Sequence, residues 1–368
     1  MTYIDKLLIG ICGKLQLPTE LYNQADDRYQ TISNRIENDA VFTDTELKMY
    51  AHGSFRLKTT VRPLKENEYD LDFVVQIPES DDMTPQQLYD HIFRILSSDG
   101  IHNDMVEKKS RCIRVNYKND FHLDIMPGKL INAETNEIIV PDRELKGWYH
   151  HSNPIGYAEW FENQAKIRIN EMYQRGMIIA SAEPLSEQEM VAHLEPLRRA
   201  TQLIKRYRDV YCDKNNKEPV RSIVLCTLLG QTNSEYLGEI NIINDFCKHV
   251  NMKMADSDGE PFEVRNPVVD EVLTEKWSEN QQNYEDFIDM MRSLTKDIQR
   301  LATLSTNTEA AELIKKMFGE EITVSVIKEQ AEIVRLAREN GTLGINANGV
   351  LNTLSEGILL RKNTFYGE

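Results

Sequence analysis

Acidic side chains interrupt two runs that otherwise read as β-strand, and this pairing constrains the fold more than any other feature of the 368 residues. The runs are Tyr69-Asp70-Leu71-Asp72-Phe73-Val74-Val75 and Phe121-His122-Leu123-Asp124-Ile125-Met126. Successive strand side chains point to opposite faces, so Asp70 and Asp72 share one face while Leu71 and Phe73 share the other. A chain built this way must pack one face of a sheet on a core and turn the other toward a polar space. Between about residues 45 and 140 a third run, Arg111-Cys112-Ile113-Arg114-Val115-Asn116-Tyr117, and a helical segment near Pro85 to Ser97 complete a small mixed α/β sheet.

Helical periods govern the rest. Residues 1 to 40 read as helical, with Leu21, Ala25, Tyr29, Ile32 and Ile36 on one stripe of a supporting helix. From about Tyr157 onward the pattern predicts a helical region. One stripe runs Leu197, Thr201, Ile204, Arg208, Tyr211; a second helix spans about Tyr284 to Leu301, and others Glu309 to Phe318 and Thr323 to Asn340. Segments 182–190 and 252–266 read as polar loops, and the closing Asn363-Thr364-Phe365-Tyr366-Gly367-Glu368 as a mobile tail.

Three carboxylates on adjacent strands would lie about 4 to 6 Å apart, a strained cluster unless divalent cations neutralise it. Asp70, Asp72 and Asp124 therefore predict a site for two Mg²⁺ ions, Mn²⁺ being the alternative. Two such ions flanking a triphosphate would bind its oxygens, lower the pKa of an attacking ribose hydroxyl and stabilise the leaving pyrophosphate. The turn His52-Gly53-Ser54-Phe55-Arg56 fits the same chemistry. Glycine lets backbone approach phosphates closely, and the Ser54 hydroxyl and exposed N–H groups donate to them. Lys205 is a candidate phosphate clamp.

Charge and length exclude several alternatives. A net charge of −16 from 43 basic and 59 acidic residues disfavours sequence-independent binding to long nucleic acid. The basic residues concentrate around the motifs: residues 53–65, 105–118 and 196–221 carry +4, +4 and +5, leaving −29 for the remainder. The cleft is thus expected to attract small triphosphates inside an acidic exterior. Around Ile223 to Leu229 the longest apolar stretch falls far short of the roughly 20 residues that span a bilayer. The opening apolar run, preceded by Asp5, is too short for a secretory signal. Five scattered cysteines (Cys12, Cys112, Cys212, Cys226, Cys247) form no C-x-x-C pair and read as reduced thiols of a cytoplasmic protein.

The residues also carry a resemblance. Asp70 follows Phe55 of the Gly-Ser motif by 15 positions, and a third Asp sits in a strand before Pro127. This arrangement resembles the DNA polymerase β-like nucleotidyltransferase superfamily. The segments AHGSFRLKTTVRP, EYDLDFVV, FHLDIMPG, WYHHSNPIGYAEWF, LIKRYRD, EPVRSIVLCTLL and NTFYG, spread over nearly the whole chain, narrow it to the bacterial cGAS/DncV-like nucleotidyltransferases. The resemblance implies an α+β fold: a polymerase β-like nucleotidyltransferase core with an N-terminal support helix over residues 1–155, packed against a helical domain over 156–368. It implies a cytoplasmic enzyme that condenses ribonucleoside triphosphates into a cyclic di- or trinucleotide in anti-phage (CBASS) signalling, a downstream effector that reads the product, and no membrane partner. It assigns Asp70, Asp72 and Asp124 to metal and catalysis, with Asp124 helping to deprotonate the attacking hydroxyl. Gly53, Ser54, Lys205 and Ser222 are assigned to the triphosphate. Ser222 by itself would be a helix N-cap. His52 stands where relatives often have Gln, and a core or supporting histidine is the plainer reading.

Smaller candidates are Trp148, Tyr149 and Trp160 as base-stacking rings, Arg56 and Arg62 as phosphate-steering charges, and Met290 and Met291 as core filling. A partner at the C-terminal tail, regulatory or conjugating, is compatible with Phe365 to Glu368. Two other functions remain open at this stage: a nucleotidyltransferase modifying a tRNA, protein or small-molecule acceptor, and a catalytically silent nucleotide sensor. The intact carboxylate set speaks against the sensor.

Overall fold

The alternating runs become strands of one sheet and the periodic runs become helices stacked beside it. The computed structural model describes residues 2–64, 69–98, 105–117, 121–145, 149–174, 194–232, 238–345, 351–352 and 358–359. The segment 182–190 and the closing 363–368 lie outside these.

Two helices open the chain, α1 (Tyr3–Leu15) and α2 (Thr19–Glu37). Thr2 and Asp5 close a reciprocal capping box on α1, which satisfies donors that the helix itself leaves unpaired. Pro18, at the N-cap of α2, splits what the period alone joined into one helical stretch. Strand β1 (Lys48–His52) runs into a single helical turn, α3 (Gly53–Arg56), and on to β2 (Tyr69–Ile77). Helix α4 (Pro85–Ser97) has Pro at its first position and its own capping box, Thr84 with Gln87. Then follow β3 (Val106–Lys108), β4 (Ile113–Tyr117), β5 (Phe121–Asn132), β6 (Glu137–Val140) and β7 (His150–Ser152). The sheet order is β1-β2-β5-β4-β3, with β6 on the far half of β5 and β7 on β6; β2 and β5 are parallel, their other neighbours antiparallel.

The helical region contains α5 (Pro154–Gln174), α6 (Pro196–Asn215), α7 (Ser222–Gly230), α8 (Glu239–Asp256), α9 (Glu275–Glu279), α10 (Gln281–Thr303), α11 (Asn307–Phe318) and α12 (Glu320–Glu339). A three-stranded sheet of two-residue strands, β8 (Gly344–Ile345), β9 (Leu351–Asn352) and β10 (Ile358–Leu359), follows. The expected loop at 252–266 begins later than its polarity suggested. Met252 to Asp256 complete α8, whose buried stripe of Ile242, Ile243, Phe246, Cys247 and Val250 sets the helix.

Among the described residues two large hydrophobic cores hold these layers, with a small third cluster of Val74, Ile138 and Val140 on the other face of the sheet. One face of the sheet (Leu71, Phe73, Val75, Leu123, Ile125, Ile113, Val115) packs on α2 and α4. The second core gathers α5 to α8 with α10 to α12, and α1 joins it through Leu7, Leu8, Ile11, Cys12 and Leu15. The cores therefore divide differently from a linear boundary near residue 155: the first helix of the chain packs into the helical region. Met290 and Met291 are buried core residues, and Cys12, Cys212, Cys226 and Cys247 are free and buried. Among the described residues no helix is long and apolar enough to cross a membrane.

Candidate active site

Strand register brings the acidic residues into a row. His52 of β1 sits opposite Asp72 of β2, Asp72 beside Asp124 of β5, and Asp124 opposite Arg114 of β4. Neighbouring strands lie only about 4.8 Å apart, so four polar side chains share one band across the sheet. The apolar residues between them point into the core that packs on α2 and α4, and alternation therefore aims the row at the opposite, cleft side of the sheet.

The turn from β1 to α3 presses against this row. Gly53 has φ +58°, and a Cβ there would fall 2.2 Å from Oδ2 of Asp72. Only glycine fits both the left-handed backbone and the contact. Phe55 fixes the turn from the other side: its ring stacks on Tyr22 of α2 at 5.3 Å and leans on Phe73 at 6.2 Å, while Phe73 stacks on Tyr29 at 4.2 Å. The Ser54 hydroxyl lies 3.5 Å from that of Thr60.

Helix α6 supplies the opposite wall. Four of its side chains donate to backbone carbonyls of the loop after α3: Arg198 to Leu57, Lys205 to Thr59 at 2.8 Å, Gln202 to Thr60 at 3.1 Å and Arg206 to Arg62 at 3.3 Å. Lys205 lines the cleft, yet its ammonium is buried and holds this loop; burial pulls its pKa below the usual lysine value. Ser222 is the first residue of α7 and does not cap it, because Arg221 occupies the N-cap and the Ser222 hydroxyl accepts from Nη1 of Arg208 at 2.9 Å. At the far end His150 pairs with Glu271 at 2.9 Å, and Asn266 donates to the other Glu271 oxygen at 2.9 Å.

These walls enclose a cleft of about 930 Å³ that all seven predicted site residues line, together with His52 and Arg56. Its size is near the top of the roughly 300–1,000 Å³ range of small-molecule sites. The aromatic candidates lie elsewhere. Trp160 packs over Gly230, where a Cβ would meet its ring at 2.4 Å; Tyr149 is exposed and edge-on to His151; Trp148 lies outside the described residues. Arg62 contributes its carbonyl to the α6 clamp and is not on the cleft wall.

Electrostatics follow from crowding. Burial raises the Asp72 carboxyl to about 7, helped by the neighbouring Asp124 and Asp70 and opposed by Lys205 and Arg114. Asp70 is raised too, by desolvation and Asp124 against the pull of Arg114. Burial lowers His52 to about 4, with Asp124 pulling the other way, so it is a neutral imidazole at neutral pH. Arg114 had gone unnoticed in the sequence. It bonds both oxygens of Asp124 at 2.7 Å and reaches Asp70 at 3.1 Å. Its position between Ile113 and Val115 in an alternating strand was the signal that could have found it.

The donor chemistry suits a hard divalent cation: three carboxylates on one wall, two of them holding their protons more tightly than free carboxyls do. In the arrangement seen, however, no three His, Cys, Asp or Glu side chains among the described residues converge to hold a metal ion, and both Asp124 oxygens are engaged by Arg114.

Comparison with known proteins agrees with this layout. Residues 1–165 match the Second Messenger Oligonucleotide or Dinucleotide Synthetase domain. Over its whole length the chain is 32% identical to the c-di-GMP synthase of Roseivirga ehrenbergii, covering 98% of that protein. It is 24% identical to the cyclic dinucleotide synthase CdnG of Bradyrhizobium diazoefficiens, over 88% of this chain and 82% of that one. The solved structure of CdnG in complex with GTP shares the fold with a TM-score of 0.73 at 22% identity, spanning 90% of this chain and 100% of that one. Apo DncV of Vibrio cholerae does so with a TM-score of 0.56 at 14% identity, over 87% of each chain. The chain belongs to the bacterial cGAS/DncV-like nucleotidyltransferases, enzymes that make cyclic oligonucleotides.

Proposed function

We propose that this nucleotidyltransferase is a Mg²⁺-dependent cyclic dinucleotide synthase, using GTP as a substrate, whose product serves cytoplasmic anti-phage signalling through a downstream effector. The observation that carries the reading is the row of Asp70, Asp72 and Asp124 facing a cleft, within a chain aligned end to end with a c-di-GMP synthase. Product class and base are taken from that relative and from the GTP complex of CdnG. A regulatory or conjugating partner at residues 365–368 belongs to the same proposal.

In this reading Asp70, Asp72 and Asp124 hold two divalent ions. When bound, they would lower the pKa of the ribose hydroxyl and neutralise the triphosphate. The chain supplies the rest. Gly53 and Ser54 receive the phosphates at the turn that Phe55 and the α6 side chains hold still, with Lys205 and Ser222 on the opposite wall. At each transfer a ribose hydroxyl oxygen bonds to the α-phosphorus, the bond to the bridging oxygen breaks and pyrophosphate leaves. The hydroxyl proton passes toward the carboxylate row, with Asp124 as acceptor. A second round on the linear intermediate, turned so that its own triphosphate meets a free hydroxyl, closes the ring.

Incubating the purified protein with labelled nucleoside triphosphates and Mg²⁺ should yield a phosphatase-resistant product whose mass identifies a cyclic dinucleotide. Asp72→Asn should abolish it while the circular dichroism spectrum is kept. Labelling of an added tRNA, protein or small acceptor, with no cyclic product in any nucleotide mixture, would overturn the reading.

A further inference from the structure

One cation is already built into the carboxylate row. Arg114 grips Asp124 with Nε and Nη2, each at 2.7 Å, and touches Asp70 with Nη2 at 3.1 Å. The pair is sheltered, with Arg114 exposed by 22% and Asp124 by 14%, whereas Asp70 is open at 61%. Asp72 makes no ion pair among the described residues. A guanidinium keeps its charge at any physiological pH and matches a carboxylate with two parallel bonds. Register leaves it little choice of partner, because Arg114 and Asp124 face each other across β4 and β5.

We propose that Arg114 is a resident counter-cation that competes with divalent ions for Asp124 and Asp70 and so sets the ion concentration at which the catalytic site assembles. The proposal rests on the reading that these carboxylates hold the metal. Three carboxylates crowded in one cleft need positive charge to coexist; Arg114 provides it before the ions arrive. A divalent ion must then share or displace a guanidinium bond at Asp124, beside a fixed positive charge, at a free-energy cost that weakens its net binding. Arg114 is thus a positioning residue: it keeps the acidic row ordered in the free enzyme and opposes premature ion binding when no nucleotide brings its own phosphate oxygens.

The test is Mn²⁺ binding to the nucleotide-free protein, followed by the electron paramagnetic resonance signal of the free ion. Arg114→Gln should tighten Mn²⁺ binding tenfold or more, with Arg114→Lys in between because it keeps the charge and loses the two-pronged grip. The metal-free Arg114→Gln protein should also melt at a lower temperature and regain it on adding Mn²⁺. Should Gln prove unfolded, the Lys variant decides alone: an affinity equal to wild type overturns the proposal. Unchanged or weaker binding in a folded Arg114→Gln, alongside weaker binding in Asp72→Asn, overturns the role of Arg114 and leaves the carboxylate site standing. If Asp72→Asn binds Mn²⁺ as wild type does, the metal reading and this proposal fall together.

Discussion

Gly53 occupies a place where a single methyl group would do double damage. Its left-handed backbone costs other residues about 1–2 kcal/mol, and the added Cβ would drive into the Asp72 carboxylate. Gly53→Ala is therefore expected to lower the melting temperature modestly and kcat/KM by about 10²-fold, the scale of an ångström-sized displacement at a reacting centre; steady-state rates beside a thermal melt will separate the two. A different sensitivity lies at the far wall. The Glu271 carboxyl is held below its ordinary 4.5 because the His150 and Asn266 hydrogen bonds outweigh the opposing effect of burial. A depressed carboxyl stabilises the fold above the unfolded value, and that stability disappears as pH falls through the folded one. The melting-temperature gap between wild type and Glu271→Gln should therefore be full at pH 7 and close progressively below pH 4.5; a gap that widened on acidification would contradict it. Legibility at this scale depended on chemistry. The Gly-Ser turn and three aspartates announce themselves because their residue types make sense only together. Arg114 does not, because one arginine in a strand reads equally well as a solvated side chain until register sets it opposite Asp124.

Helix α6 shows what periodicity conveys and what it hides. Its stripe of Leu197, Thr201 and Ile204 is buried as the spacing predicts, but so are Arg198, Arg199, Gln202, Lys205 and Arg206. A helix with so many buried polar side chains persists only if each finds a partner. Arg199 pairs with the buried Glu239, and the others reach carbonyls more than a hundred residues away in sequence. No local pattern encodes such distant partners, which is why the sequence offered Lys205 for the phosphates while its bond to the Thr59 carbonyl and the rest of the loop clamp went unforeseen. Arg206→Met would orphan the carbonyls of Phe318 and Arg62, and an unsatisfied buried acceptor costs about 1–3 kcal/mol. Chemical denaturation should register a loss of that size, together with a raised KM for nucleoside triphosphate as the loop loosens.

Across the whole molecule, charge is distributed to suit a small anionic substrate. Around the cleft the motif-bearing windows are basic, while the chain as a whole carries −16. Long duplex DNA should consequently neither bind at physiological salt nor raise turnover, a result that an electrophoretic shift and a rate assay can check together. The two large hydrophobic cores are tied together beside the site by a short piece of chain. Residues 57–62 leave a turn anchored by Phe55 to the sheet-side core and are fastened by α6 to the bundle core. A protein with two cores can melt in two steps, each with its own protection against amide exchange. Here one stitch between them borders the cleft, so on the proposed function nucleotide that steadies α3 would lend protection to α6 as well, and occupancy of the cleft would be read out as cooperativity between the two cores.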